Sequence, residues 1–267
     1  MSLTATRPAR CAALVEDSAS WPWPNRLEDG AYEFEGRHQL PINEVQTQTA
    51  IHGLVRWSAW TASEQTQDRV VMRHRLRPQP GYPFSLSLSI AYSLGEEGLT
   101  VRTTATNAGL TRRPFGSGAH PYLAAGAGKV DPLMLSVPAS GWLRANSRGL
   151  PVAQESVAST EYDFREPRPI GATRFDHALF DLDRGNDGRA RVRLRDPATG
   201  EGVTVWMDET YAWIMVFTGG DLPDVSRRSL AVEPMTYPPN AFRSGEGVIV
   251  LEPGRSVTCE WGISPRC

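Results

Sequence analysis

The stretch Phe84-Ser-Leu-Ser-Leu-Ser-Ile-Ala-Tyr92 alternates large apolar side chains with serines. Successive side chains of an extended chain point to opposite faces, so this period of two places Leu86, Leu88 and Ile90 on one face. The serines between them form a small polar face. The stretch therefore predicts a β-strand with one buried face and one solvated face, which is typical of antiparallel sheets.

The same alternation recurs along the chain in five further segments. These segments are Leu99–Thr106, Ala190–Arg195, Val203–Met207, Trp213–Phe217 and Val257–Trp261. Clusters of turn-forming residues separate them, for example Asn186-Asp-Gly188 and Glu252-Pro-Gly254. Helical periodicity of any length is missing, and 24 glycines with 21 prolines would interrupt it. Many short strands at regular spacing predict an all-β fold, built as one large antiparallel β-sandwich of half-buried strands.

The length of the chain allows more than one arrangement. A chain of 267 residues could form one large β domain or two ordinary domains. Since no internal repeat or low-complexity linker marks a boundary, residues 1–267 are predicted to form a single domain.

The charge composition limits the classes of partner. A net charge of −2 and an isoelectric point near 6.2 create no general attraction to nucleic acid or to an anionic membrane, and neither is expected as a partner. Lys129 is the only lysine among 28 basic residues. Arginine suits phosphate recognition, but because the arginines are scattered, a GC-rich coding background is the favoured explanation.

The cysteines and the apolar runs of the sequence indicate whether a metal cluster is present and in which compartment the protein is expected. Cys11, Cys259 and Cys267 are few, odd in number and far apart, which argues against both a disulfide framework and a zinc cluster. The chain contains neither an apolar run of about 20 residues nor the apolar core of a signal peptide. A cytoplasmic location is expected.

One carboxylate and two imidazoles lie where the backbone is constrained. Glu233 stands between an apolar strand and a proline-rich loop, His52 precedes a glycine, and His120 lies between Gly-Ser-Gly-Ala and a proline. A carboxylate that accepts a proton and an imidazole that donates one can act together on a neutral substrate without metal or cofactor. Each residue also has a purely structural interpretation. His52 could be a hydrogen-bonded core histidine, His120 could bridge loop carbonyls, and Glu233 could cap the loop 234–239.

Other polar residues could bind a substrate rich in hydroxyl groups. Arg26 follows two prolines and Asn25, and its guanidinium offers five donors, although taken alone it is better interpreted as a surface arginine on a turn. Tyr122 lies two residues after His120. Asp176 could accept hydrogen bonds from hydroxyls or could cap a turn, and His177 beside it should point to the opposite side of an extended segment.

Taken in order, these segments resemble the aldose 1-epimerase (galactose mutarotase) family from about Trp21 to Ile263. The segments that carry the resemblance are Asn25-Arg26, His52-Gly-Leu, His120-Pro-Tyr122, the segment around Asp176, and Glu233-Pro234. The resemblance implies a galactose mutarotase-like β-sandwich with a sugar cleft across one sheet. It places Glu233 on the general base of the family and His120 on the general acid. The positions that match sugar-holding residues are Asn25, Arg26, His52, Tyr122 and Asp176.

The function that the resemblance implies is that of an isomerase without cofactor or metal. It would interconvert the α and β anomers of a hexose, a small-molecule sugar, by acid–base opening and closure of the ring, and would act as a monomer or weak dimer. Trp57 or Phe217 could provide an apolar face for the sugar. Met215 stands where galactose-acting members often have a polar side chain, which leaves the identity of the sugar open.

Two further functions remain open on the same fold. One is the epimerisation of a phosphorylated hexose, which needs two or more arginines near C6 of the sugar. The other is a non-catalytic carbohydrate-binding protein, which would need neither acid nor base. A departure from the family lies at the N-terminus: only about 20 residues precede Asn25, where the family has two or more strands, so the chain is expected to be shortened there.

Overall fold

The computed structural model describes residues 19–125, 128–220 and 226–265. The expected shortening before Asn25 concerns residues that are mostly outside these ranges, as are Cys11 and Cys267. Within the described ranges, no helix is long and apolar enough to cross a membrane.

The described chain is composed of short β-strands and one short helix. The strands are β1 (Arg26–Glu28), β2 (Ala31–Glu33), β3 (Arg37–Gln39), β4 (Thr49–Ile51), β5 (Thr61–Gln65), β6 (Arg69–Leu76), β7 (Leu86–Gly95), β8 (Gly98–Asn107), β9 (Arg113–Phe115), β10 (Tyr122–Leu123), β11 (Met134–Ser136), β12 (Ala139–Ala145), β13 (Pro151–Ser156), β14 (Arg168–Pro169), β15 (Asp176–Leu182), β16 (Ala190–Arg195), β17 (Gly202–Met207), β18 (Trp213–Phe217), β19 (Leu230–Met235), β20 (Ile249–Leu251) and β21 (Ser256–Ser264). The helix α1 spans Ala241–Ser244.

Two large antiparallel sheets form the body of the molecule. The nine-stranded sheet has the order β14-β11-β16-β17-β21-β8-β7-β6-β5, and the six-stranded sheet has the order β10-β19-β18-β15-β12-β13. Their apolar faces share one buried cluster, which includes Leu88 and Val205 from the first sheet and Val216 and Val232 from the second. The predicted all-β class with large antiparallel sheets is confirmed.

Strand β7 shows why the alternating pattern decides the fold. Leu86, Leu88 and Ile90 are buried in the shared cluster, while Ser87 is exposed and Ser89 is partly covered. Complete burial of one such aliphatic side chain stabilises the fold by about 1.5–3 kcal/mol. The small serines leave the outer face of the sheet compatible with water.

Strands β17 and β18 differ from the expectation of half-buried strands, because both of their faces are covered. All six residues of β17 are buried, and its outward Trp206 is covered by the guanidinium of Arg189, whose central carbon lies 3.7 Å from the ring centre. On β18 the outward Trp213 and Met215 belong to a second, smaller apolar cluster. In these two strands the alternation therefore separates two buried faces, and not a buried face from a solvated one.

The segment 19–56 is tied by backbone hydrogen bonds to the loop between β9 and β10, and this loop leads into the six-stranded sheet. Ser20 N donates to Gly118 O at 3.0 Å, and Gly116 N donates to Pro22 O at 2.7 Å. Within the segment, β1 and β4 pair as a small antiparallel sheet. These contacts bring residues near positions 25 and 52 to the same place as residues near position 120.

Candidate active site

A cavity of about 340 Å³ opens between the outer face of the six-stranded sheet and the segment 19–56. Small-molecule sites usually enclose about 300–1,000 Å³, so its size suits a small ligand. All seven residues that the sequence proposed for proton transfer or for hydrogen bonds to the sugar line it. The complete lining is Asn25, Arg26, Asn43, Glu44, Ile51, His52, Arg56, His120, Tyr122, Asp176, Met215, Phe217 and Glu233.

The floor of the cavity follows from the register of three neighbouring strands. Glu233 on β19 lies opposite Met215 on β18, and Phe217 on β18 lies opposite Asp176 on β15. Directly opposed residues share a face of a sheet, as do residues two apart along a strand. The four side chains therefore project from the same face, and Glu233 and Met215 are each only 4% exposed.

Two positions with left-handed backbone hold the wall of the cavity. Asn25 and His52 have φ values of 56° and 57°, and His52 N donates to Asn25 O at 3.1 Å. Gly53 comes next with φ +70°, and a Cβ there would lie 2.0 Å from Trp21 O. The glycine after His52 is thus required both by its backbone conformation and by the close approach of Trp21.

Glu233 and His120 form a buried contact at the base of the cavity. Glu233 Oε1 and His120 Nε2 are 3.0 Å apart, with side-chain exposures of 5% and 15%. Burial alone would lower the pKa of His120, but the charge of Glu233 and the hydrogen bond to it raise that pKa above its ordinary value. His120 Nδ1 is buried with no hydrogen-bond partner among the described residues, so Nε2 is the ring nitrogen that meets Glu233 and the cavity.

His52 has the opposite electrostatic environment. Its Nδ1 lies 3.0 Å from Ser20 Oγ, and its ring centre lies 5.3 Å from that of His120. Burial, followed by the charges of His120, Arg56 and Arg26, lowers the pKa of His52 well below its ordinary value. His52 is therefore neutral near pH 7. The environment of His120 favours its protonated form, whereas the environment of His52 disfavours protonation.

Arg26 is held by two carboxylates of the cavity. Its Nε and Nη2 contact the Glu44 carboxylate at 2.9 and 3.3 Å, and its Nη1 lies 3.9 Å from Asp176 Oδ2. Burial lowers the pKa of Arg26, but the hydrogen bond to Glu44 and the charges of Asp176, Glu44 and Glu233 outweigh it and raise that pKa. Arg26 is thus a fixed donor group in the wall, and its charge is already compensated.

The structure adds residues to the site that no motif indicated. Asn43, Glu44 and Arg56 line the cavity, yet none stands in a recognisable pattern; only the closeness of Arg56 to His52 along the chain could have suggested it. Of the two aromatic candidates, Phe217 lines the cavity, whereas Trp57 is 87% exposed and lies outside it.

Neighbouring Asp176 and His177 point to different environments, as alternation predicts. Asp176 faces the cavity, and its carboxylate is about half exposed. The ring of His177 packs against Trp142 and Tyr162, with ring centres 5.0 and 4.4 Å away. Only Asp176 is therefore available to a ligand in the cavity.

The cavity also contains side chains of the types that bind metal ions. His52, His120 and Glu233 each offer one ligand atom, and these atoms lie within 4.8 Å of one another. Two imidazoles and a carboxylate are a known zinc ligand set. An ion bound there would compete with the proton that Glu233 and His120 share, so metal binding and acid–base chemistry are alternatives at this site.

Comparisons with known proteins agree with this architecture. The chain is 36% identical over 236 residues to the uncharacterized protein YihR of Escherichia coli (strain K12), covering 88% of this chain and 74% of that protein. A GalM/aldose epimerase homologue from C. elegans has the same fold, with a TM-score of 0.80, 17% identity, and coverage of 92% of this chain and 81% of that one. A galactose 1-epimerase from Lactobacillus acidophilus NCFM gives a TM-score of 0.74 and 18% identity, and 93% of this chain and 80% of that one are covered.

The family model described as aldose 1-epimerase matches residues 18–264, which include every residue that lines the cavity. The resemblance found in the sequence is confirmed. The chain belongs to the aldose 1-epimerase family.

Proposed function

We propose that the protein is a mutarotase that interconverts the α and β anomers of a hexose. The observation that carries the proposal is the buried contact between Glu233 and His120 at the floor of a cavity lined by hydrogen-bonding side chains. A carboxylate and an imidazolium side by side provide the base and the acid that ring opening requires.

The spacing of the two groups suits a hemiacetal. The anomeric hydroxyl oxygen and the ring oxygen are bonded to the same carbon, so they lie close together. Glu233 Oε1 and His120 Nε2, 3.0 Å apart, can each reach one of these oxygens in the same complex. Glu233 then accepts the hydroxyl proton while His120 donates a proton to the ring oxygen, and each transfer contributes about 100- to 10,000-fold.

The reaction then reverses on the other face of the aldehyde. Opening breaks the bond between C1 and the ring oxygen and leaves Glu233 protonated and His120 neutral. After rotation about the C1–C2 bond, His120 removes the proton from the C5 hydroxyl and Glu233 returns a proton to the carbonyl oxygen as the ring closes. The raised pKa of His120 supports this assignment, because the starting state needs an imidazolium beside a carboxylate.

The remaining residues of the cavity hold the sugar. Arg26 donates and Asp176 accepts hydrogen bonds, while Phe217 presents an apolar face from the floor. Neutral His52 can donate or accept through the nitrogen that does not contact Ser20. These roles, and action without metal or cofactor, are part of the proposal.

The decisive experiment compares Glu233→Gln with Glu252→Gln, an exposed glutamate outside the cavity. Exchange NMR on a panel of hexoses measures anomer interconversion above the spontaneous rate, and calorimetry measures sugar binding. Glu233→Gln should lose at least about 100-fold in rate, with binding little changed, because a general base acts on the transition state. The control should keep the wild-type rate.

Thermal unfolding of the same variants separates catalysis from structure. If Glu233 only stabilises the loop after β19, Glu233→Gln lowers the melting temperature and the folded fraction remains active. A folded and fully active Glu233→Gln protein would remove Glu233 from the mechanism. Sugar binding without accelerated exchange by the wild-type protein would favour the alternative of a non-catalytic carbohydrate-binding protein.

A further inference from the structure

One positive charge in the cavity has no counter-ion among the described residues. Arg26 is paired with Glu44 and Asp176, and the imidazolium of His120 is paired with Glu233. Arg56 also lines the cavity, but it forms no ion pair and no hydrogen bond with any residue that the structure describes. Its Nε is buried without a partner, and its guanidinium lies against the Trp57 ring, 4.9 Å from the ring centre.

A half-buried arginine without a partner has hydrogen-bond donors that are not satisfied. A guanidinium presents a planar fork of donors that matches oxyanions. A buried donor without a partner destabilises the folded protein, and a charged donor does so more strongly than a neutral one. A bound oxyanion would satisfy the donors of Arg56.

The position of Arg56 relative to Glu233 and His120 indicates which part of a bound sugar it would contact. Its charge acts on both His52 and His120, and the charges that act on His52 are all positive: His120, Arg56 and Arg26. This side of the cavity therefore favours an anion, whereas Asp176 and Glu44 are paired with Arg26. In the proposed mechanism, His120 protonates the ring oxygen. C5 is bonded to that oxygen and carries C6, so a cation near His120 lies near the C6 substituent.

We infer that the substrate is a hexose with an oxyanion at C6 and that Arg56 binds this group. The inference rests on the proposed function and names the substrate class for the same cavity. Phosphate, sulfonate and carboxylate share the required chemistry. Two arginines line the cavity, as a phosphorylated substrate would need, but only Arg56 is uncompensated, so the specificity rests on one side chain.

The test measures anomer exchange by NMR for wild type, Arg56→Gln and Arg75→Gln. Arg75 is an exposed arginine on β6 outside the cavity, so its variant carries the same change in net charge. The substrates are glucose 6-phosphate, glucuronate and 6-deoxy-6-sulfoglucose, with glucose and galactose as neutral references. The readout is the ratio of kcat/KM for each anionic sugar to kcat/KM for glucose.

Wild type should prefer at least one anionic sugar, and the three anionic arms identify which oxyanion it takes. Arg56→Gln should lower that ratio about 10- to 100-fold, the range for one hydrogen bond to a charged group, while Arg75→Gln leaves the ratio unchanged. The inference would be overturned if the wild type exchanges neutral sugars through Glu233 but does not prefer anionic sugars, and if Arg56→Gln does not change the ratio. That result would leave the proposed function standing.

A wild type that accelerates no exchange would instead remove the proposed function. In that case the dissociation constants of the same five sugars, measured by calorimetry on the same three proteins, decide the inference alone. Tighter binding of an anionic sugar that Arg56→Gln weakens about 10-fold or more supports it. Equal dissociation constants for wild type and Arg56→Gln contradict it.

Discussion

Replacement of Gly53 by alanine should damage both the stability and the site, because two separate costs meet at this residue. The first is conformational: with φ +70°, an alanine would adopt the left-handed region, which costs about 1–2 kcal/mol. The second is steric, since the new Cβ would lie 2.0 Å from Trp21 O and 2.4 Å from Trp21 C.

Trp21 has little freedom to move away from the new methyl group. It is completely buried, and its carbonyl accepts the Leu54 amide at 2.6 Å. Overpacking of this kind typically costs about 1–3 kcal/mol. Together with the conformational cost, Gly53→Ala should lower the free energy of unfolding by about 2–5 kcal/mol, or about 4–20 °C in melting temperature.

Gly254→Ala is a matched control for the conformational cost. Gly254 has φ +71°, and a Cβ there would meet nothing within 4 Å. This variant should lose only about 1–2 kcal/mol, so the difference between the two variants measures the steric cost at about 1–3 kcal/mol. Urea unfolding and calorimetric melting of both variants give the comparison.

Activity of the folded Gly53→Ala protein supplies a second readout. His52 N donates to Asn25 O, so any shift of residue 53 moves two residues of the cavity wall. A displacement on the order of 1 Å can lower the rate about 100-fold, whereas Gly254→Ala should keep the wild-type rate. Equal losses of stability in the two variants would refute the claim that the approach of Trp21 requires glycine at position 53.

Two further predictions concern the proton chemistry. Because Glu233 raises the pKa of His120, the acid form of His120 should persist above the ordinary pKa of 6.5. In a pH–rate profile, kcat/KM should therefore fall only as the pH rises through the raised pKa. If this fall at alkaline pH is unchanged in His120→Asn, it belongs to another group. Treatment with EDTA followed by dialysis should leave anomer exchange unchanged, because Glu233 and His120 need only exchange protons. If the treatment abolishes turnover and one divalent ion restores it, His52, His120 and Glu233 hold a metal instead.

Local sequence was sufficient for the fold class and for most of the cavity. The alternation around Leu88 survives in the structure because burial of one face requires a period of two, whatever the neighbouring strands are. The same rule separated Asp176 from His177. The constrained backbone at His52 was also visible, because the adjacent Gly53 is the residue type that permits a left-handed conformation and a close approach of another segment. Seven of the residues that line the cavity were then found through the order of five short motifs.

Other features were decided by tertiary structure, because they depend on contacts between distant segments. Glu233 and His120 are more than a hundred positions apart, and only the pairing of β19 with β18 and β10 brings the carboxylate to the imidazole. The covered outer faces of β17 and β18 depend on Arg189 and on the second apolar cluster.

The charges of the two cavity arginines show the same division. Arg26 belongs to a motif and Arg56 lies only four residues after His52, but nothing local shows which of the two arginines will be paired with a carboxylate. The fold places Glu44 and Asp176 against Arg26 and leaves Arg56 without a described counter-ion. Sequence by itself determined which residues can carry charge and protons, whereas three-dimensional proximity decided which charges are compensated, because electrostatic interaction depends on distance and burial rather than on position along the chain.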